Sequence, residues 1–272
     1  LNFKSIPDLI DAAYLEESQQ RTRSYIGASS VGAKCDAQLA FSLRGMPDTR
    51  PDPQLQRIFN LGHALENVVI RDLRKAGIAV LEKDPTTGRQ YEYHAFGGHI
   101  AGHADGLIEE LSDDGDVDSC ILEIKSMNDS KFKECEKKGV RYSHPIYFAQ
   151  VQFMMGLSGS KKSIFVAYNK NTSRYLSQVI GFDEFAYSAL EARVEKILEN
   201  EAVKCATDES DWRCKGCFKR DVCWLKIDPP VECKTCAASV ATADGGWRCQ
   251  GTGVKCDDPC ENWKRYEPVP HG

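Results

Sequence analysis

The chain has 272 residues, 42% of them hydrophobic, and a formal net charge of -5. Such a length supports one large soluble core, or one core with a small appendage, and needs no staples merely to fold. The acidic balance excludes a generally basic nucleic-acid coat, so any DNA contact must come from a local patch, and no apolar run approaches the ~20 residues of a membrane span.

In chain order, the opening residues lack a charged-then-apolar leader pattern, and the expectation is a soluble, cytoplasmic protein. Residues 6–20 read as an amphipathic helix that Ser5 can cap, with Pro7 in its first turn. Ile58, Leu61, Leu65, Val68, Val69 and Leu73 recur at helical spacing, which predicts a helix over 58–76 closed by Gly77. The period then changes, and residues 78–82, 91–96, 99–108 and 119–126 read as strands. A short charged helix is expected over 130–138 and an apolar helix from His144-Pro145 to Leu157. A hairpin follows, with strands 162–169 and 174–181 around Lys170-Asn171, and then a helix over 183–202. This order predicts a mixed α/β core, a mixed sheet flanked by helices. From Cys205 the periodic segments end and cysteines crowd in. The expected division is 1–225 as the main domain and 226–272 as a cysteine-rich tail.

Residues 121–125 read Ile-Leu-Glu-Ile-Lys. On a strand, Glu123 and Lys125 share one face and Leu122 and Ile124 the other. The stretch between the strands is rich in turn formers, and a hairpin centred near Asp114 sets Asp105 directly opposite Glu123. Two carboxylates so close repel unless a cation lies between them. Mg²⁺ takes one or two carboxylates and leaves positions for water and phosphate. An ion held there lowers the pKa of bound water and offsets phosphodiester charge, and Lys125 can orient the water or stabilise developing negative charge. A plain surface ion pair between Glu123 and Lys125, with Asp105 a turn residue before Gly106, is the blander alternative.

Asp105 followed by Glu123-x-Lys125 on an aliphatic strand resembles the PD-(D/E)XK nuclease superfamily. Gly62-x-x-x-Glu66 resembles the first motif of lambda-exonuclease and YqaJ-like nucleases, with His63 a weaker candidate for the same role. Residues 149–157 resemble the glutamine helix of the lambda-exonuclease group, with Gln150 at the glutamine and Met154 where a tyrosine is common. Residues 26–41 resemble the entry motif of RecB-like exonucleases, without the usual arginine after the cysteine. The resemblance spans about residues 26–225 and implies a restriction-endonuclease-like core. It implies that Asp105, Glu123 and the backbone carbonyl of Ile124 bind catalytic Mg²⁺ or Mn²⁺. Glu66 would complete that shell, Lys125 would position the attacking water and Gln150 would hold the substrate or the water network.

Nine of the 12 cysteines lie from Cys205 onward, and in a chain without a secretory pattern such clustering suggests metal ligation before disulfides. Cys214-x2-Cys217-x5-Cys223 presents three thiolates and leaves a fourth ligand to be found. One early cysteine, Cys35, with this late triplet resembles AddB-type nuclease domains and the RecB-like exonucleases of CRISPR adaptation, which implies a [4Fe–4S] cluster tying the ends of the domain together. Closing a loop of ~180 residues is worth on the order of 4–5 kcal/mol if treated like a disulfide. All-thiolate ligation also suits zinc. Farther on, Cys233, Cys236, Cys249 and one of Cys256 or Cys260 are expected to form a zinc-ribbon-like Zn²⁺ set around a turn at Asp244-Gly245-Gly246. Cys120 and Cys135 read as ordinary buried thiols.

Residues 131–141 carry five basic and two acidic side chains and can grip a phosphate backbone, with Lys161 and Lys162 adding to it. No helix-turn-helix pattern suggests base reading. The expected function is a metal-dependent DNA exonuclease acting at DNA ends in recombination, repair or phage DNA processing. Its expected partners are DNA, single- or double-stranded, and a recombinase or single-strand annealing protein, with a homo-oligomer compatible and no membrane contact. A structure-selective endonuclease and a non-catalytic DNA-binding module are the alternatives.

Overall fold

A computed structural model of the chain describes residues 5–17, 23–111, 117–256 and 258–271. Its helices are α1 (Ile6–Glu17), α2 (Asp36–Leu43), α3 (Pro53–Lys75), α4 (Asp129–Ser143), α5 (Pro145–Ser158), α6 (Glu184–Leu198) and α7 (Arg220–Trp224). Its strands are β1 (Ile26–Gly27), β2 (Val80–Leu81), β3 (Glu92–Ala95), β4 (Ile100–His103), β5 (Gly106–Leu111), β6 (Val117–Met127), β7 (Lys162–Asn169), β8 (Tyr175–Gly181), β9 (Ser239–Ala241) and β10 (Trp247–Cys249). The main sheet has the order β2-β5-β6-β7-β8, beside a three-stranded sheet β1-β4-β3 and a small β9–β10 hairpin. The class is mixed α/β, with mixed sheets flanked by helices.

Burial explains the layering. Leu122 and Ile124 of β6 pack with Val166 against Val69 and Ile70 of α3 on one face of the main sheet. The opposite face joins a larger core that includes Ile121, Phe165, Phe132 of α4, Val151 and Phe153 of α5, and Phe41 of α2. No helix among the described residues is long and apolar enough to cross a membrane.

Four departures from the sequence expectations have clear causes. The strand expected over 99–108 is two strands, because β4 pairs with β1 and β3 while β5 pairs with β2 and β6. Asp105 therefore lies at the break between sheets. The helix expected to begin at residue 58 starts at Pro53, where Asp52 accepts a hydrogen bond from the Leu55 amide at 2.7 Å; the polar first turn hid this start. β6 and β7 are parallel, joined through α4 and α5, a crossover invisible to periodicity alone. α2 is a short, largely buried helix that was not anticipated. The helix expected over 6–20 is described to Glu17, and the centre of the hairpin near Asp114 lies outside the described residues.

Residues beyond 226 pack onto the main body through Arg44, which is 1% exposed. Its guanidinium donates to the carbonyls of Lys234 (2.6 Å), Cys236 (2.9 Å) and Ser239 (2.7 Å) and to Asn200 Oδ1. It lies 3.8 Å from the centre of the Tyr266 ring and 4.8 Å from that of Trp247. A second seam is backbone on backbone. Gly97 has φ +65°, and a Cβ there would lie 2.1 Å from the Gly245 nitrogen, which only glycine avoids. The turn expected at residues 244–246 is present, with the Thr242 amide donating to the Gly246 carbonyl at 2.9 Å.

Arg44→Met keeps side-chain length but strips three backbone carbonyls of their charged donor. It is expected to lower the unfolding free energy by roughly 2–4 kcal/mol in urea titrations; a midpoint unchanged from wild type would contradict the seam.

Candidate active site and cysteine pocket

The register of β5 and β6 sets Gly106 opposite Leu122, so the next pair in line is Asp105 and Glu123. Asp105 Oδ2 accepts a 2.7 Å hydrogen bond from the Ile124 amide, which fixes the carboxylate across the end of β5 onto β6. Strand alternation turns Glu123 and Lys125 away from the face that Leu122 and Ile124 pack against α3. Glu123 is 1% exposed. Its Oε1 meets Lys125 Nζ as a close ion pair. Lys125 Nζ also lies 5.4 Å from the centre of the Tyr147 ring on α5. Glu66, half-buried on α3, sits 3.4 Å from His63 Nδ1.

The electrostatics show how close these groups are. Burial pushes Glu123 up to about 7; Lys125 opposes the rise, while Asp105 and Glu66 add to it. Burial likewise raises Asp105, against Lys125, the Ile124 amide and His63. Glu66 is raised by burial and then by Asp105, with His63 and Lys125 opposing. Burial works against the Lys125 ammonium, but Glu123 and Asp105 outweigh it and hold the pKa above the ordinary lysine value. Three mutually repelling carboxylates, one of them buried, are what a hard divalent cation relieves. The donor set therefore fits Mg²⁺ or Mn²⁺. Among the described residues, no three His, Cys, Asp or Glu side chains already close on a single point, and Lys125 holds the place beside Glu123.

Gln150 is 6% exposed on α5, one turn after Tyr147 and so on the same side of that helix. Tyr147 itself was not singled out from the sequence; its three-residue spacing from Gln150 was the available signal. Met154, at the position where a tyrosine is common, is buried against Gly102, where a Cβ would lie 2.3 Å from its sulfur. There is no room there for a ring that reaches solvent. In the basic run, Lys133, Lys138 and Arg141 pair with Asp129, Glu134 and Asp183 at 2.7–3.0 Å. Such exposed pairs are worth little and leave the charges exchangeable for phosphate. Lys161 and Lys162 line a separate polar pocket with Ser119 and Ser160, at the other end of β6 and roughly 20 Å along the strand from Lys125.

The structure gathers Cys35, Cys214, Cys217 and Cys223 around one small pocket of about 20 Å³, and adds Cys205. Cys35 precedes α2, whose start is pinned when Arg193 donates to Asp36 at 2.6 Å and to the carbonyls of Val31 (2.9 Å) and Ala33 (2.6 Å). Cys214 and Cys217 share a turn in which the Cys217 amide donates to the Cys214 carbonyl, and Cys223 is on α7. Burial raises the Cys217 thiol and pushes Cys223 up to about 11. Buried and half-buried sulfur donors with no histidine among them fit a thiolate-ligated iron–sulfur cluster or zinc. Cys233 is joined to Cys256 in a disulfide, while Cys236 and Cys249 are half-buried and Cys260 is exposed.

No protein-family model matches the chain, and no curated protein matches it. Among solved structures it is similar to an alkaline exonuclease, LHK-Exo, from Laribacter hongkongensis, with 23% identity and a TM-score of 0.45 over 71% of this chain and 91% of that one. It is similar to SSO0001 with 17% identity and a TM-score of 0.46 over 83% and 99% of the two chains. A phage-related exonuclease from Haemophilus somnus 129PT aligns with 14% identity and a TM-score of 0.38 over 68% and 94%.

The raised Glu123 pKa fixes the sign of a pH effect. A carboxyl whose folded pKa lies above its unfolded value adds stability at low pH that is lost as pH rises through the folded value. In chelator, the melting temperature is expected to fall between pH 5 and 8 because of this group, and Glu123→Gln should flatten the slope. Mn²⁺ should raise the wild-type melting temperature more at pH 8 than at pH 5.5. Parallel slopes in wild type and variant would contradict the assignment.

Proposed function

We propose that the chain is a divalent-cation-dependent deoxyribonuclease that degrades DNA from its ends. The observation that carries this reading is the Ile124–Asp105 hydrogen bond, which sets Asp105 beside Glu123 and Lys125 on one strand. Asp105, Glu123 and the Ile124 carbonyl would hold Mg²⁺ or Mn²⁺, with Glu66 completing the set from α3. When bound, such an ion supplies charge neutralisation at the phosphodiester and acidifies a water ligand. Lys125 stays protonated beside Glu123 and can donate to the attacking water or to a phosphate oxygen where negative charge develops. Tyr147 restricts where that ammonium can lie. Gln150 offers an amide to the substrate or to the surrounding water, and the basic face of α4 offers exchangeable cations to the DNA backbone. Action at ends follows from the resemblance of Gly62, Glu66 and Gln150 to the lambda-exonuclease motifs.

With Mn²⁺, end-labelled linear DNA should be degraded and covalently closed circles spared, and Lys125→Ala should slow degradation at least ~100-fold. Equal rates for wild type and Lys125→Ala would overturn the catalytic assignment; cutting of closed circles would make the enzyme an endonuclease.

The cysteine pocket is proposed to hold a [4Fe–4S] cluster through Cys35, Cys214, Cys217 and Cys223. Its role there is structural, since it joins the entry of α2 to the region that holds α7. Purified protein should be brown and contain iron and sulfide, and Cys214→Ala should melt roughly 10 °C below Cys120→Ala. A colourless wild type, or equal melting temperatures, would contradict the staple.

A further inference from the structure

The Lys125 ammonium has two neighbours that favour its charge, and they stand on different elements. One is Glu123, two residues back on β6. The other is Tyr147 on α5, whose ring centre lies 5.4 Å from Nζ. That is inside the ~6 Å over which an aromatic face attracts a cation, an attraction that grows when the pair is shielded from water. The Lys125 side chain is largely buried.

The Tyr147 ring is itself held. Phe165 of β7 stacks with it at 6.3 Å and 30°, and His144 at 5.3 Å and 2°. Phe165 is fully buried and stands opposite Glu123 in the register of β6 and β7. The row of rings therefore begins on the residue paired with the buried carboxylate. α5 is seated just as closely. A Cβ at Gly32, in the chain before α2, would lie 2.7 Å from Ala149 Cβ and 3.0 Å from Ile146 Cα, so the backbone there fits against α5 with no space to spare.

The two neighbours cease to be equivalent once a divalent ion is bound. With the ion on Asp105 and Glu123, the ammonium loses the oxygen it rests on and meets a like charge. An aromatic face can hold the ammonium without competing for the ion, which takes oxygen donors. Resting on the reading of this site as a divalent-cation nuclease, we propose that Tyr147 is the second seat of Lys125. Its ring takes the ammonium that the ion displaces from Glu123, and so sets both the affinity for the ion and the place from which Lys125 serves the attacking water. Tyr147 acts through Lys125 and is a positioning residue.

The test uses the full-length protein with Tyr147→Leu and Tyr147→Phe, and with Tyr147→Leu added to Lys125→Met. It reads the Mn²⁺ dissociation constant by calorimetry without DNA, and kcat and KM on end-labelled linear DNA. Tyr147→Leu should weaken Mn²⁺ binding and lower kcat, each about tenfold, with little change in KM. Tyr147→Phe keeps the ring and should recover most of both losses. In Lys125→Met there is no ammonium to reseat, and adding Tyr147→Leu should leave the Mn²⁺ constant where it was. Equal Mn²⁺ constants in wild type and Tyr147→Leu would overturn the proposal. So would the same weakening with and without Lys125, which makes the ring a structural prop, or a loss confined to KM, which places it on the DNA. Should Tyr147→Leu fail to fold, the wild-type crystal with Mn²⁺ decides. Nζ drawn closer to the ring than 5.4 Å supports the seat, and Nζ still on Glu123 or turned away from the ring overturns it. A wild type that neither binds Mn²⁺ nor degrades DNA would instead refute the nuclease reading, and the second seat with it.

Discussion

The amide of Ile124 bonded to Asp105 is the contact on which the candidate active site depends. Asp105 belongs to neither sheet. It sits where β4, in the small sheet, hands the chain to β5, in the main one. Without an anchor, a residue at such a break would point its carboxylate into water. The hydrogen bond ties it to β6, between Glu123 and Lys125 in sequence, and so converts a connection between two sheets into one wall of an acidic site. α3 contributes Glu66 from one side and α5 contributes Tyr147 from the other.

This arrangement is electrostatically costly. Glu123 is buried, and Lys125 alone does not restore its ordinary acidity. Proteins seldom set three carboxylates together around a buried one unless something positive is to be received. The fold bears the cost because both strands are anchored elsewhere: Leu122 and Ile124 by α3, Ile121 and Phe165 in the larger core. The rigid part of the site is therefore the strand, and the adjustable part is the long Lys125 side chain. The cysteine pocket lies at the start of α2, lined by cysteines from distant parts of the chain.

Much of this was legible in the residues themselves. The alternation on 121–125 identified the two faces of β6, and turn chemistry set the register that pairs Asp105 with Glu123, because both signals are local. The spacing of Cys214, Cys217 and Cys223 pointed to a shared site for the same reason. What was hidden depends on tertiary contacts. The break at Asp105 was masked by apolar residues on both sides of it, and the parallel pairing of β6 with β7 requires knowing where α4 and α5 run. Tyr147 acquires its position through Lys125, Cys205 through a bridge to Val269, and Arg44 through carbonyls more than 150 residues away.

The central claim is tested most directly by locating manganese. A crystal of the full chain soaked in Mn²⁺ and measured near the manganese absorption edge should show an anomalous peak in contact with Asp105, Glu123 and the carbonyl of Ile124, with Lys125 displaced from Glu123 but still nearby. A peak elsewhere in the protein, or none while Lys125 remains on Glu123, would contradict the account.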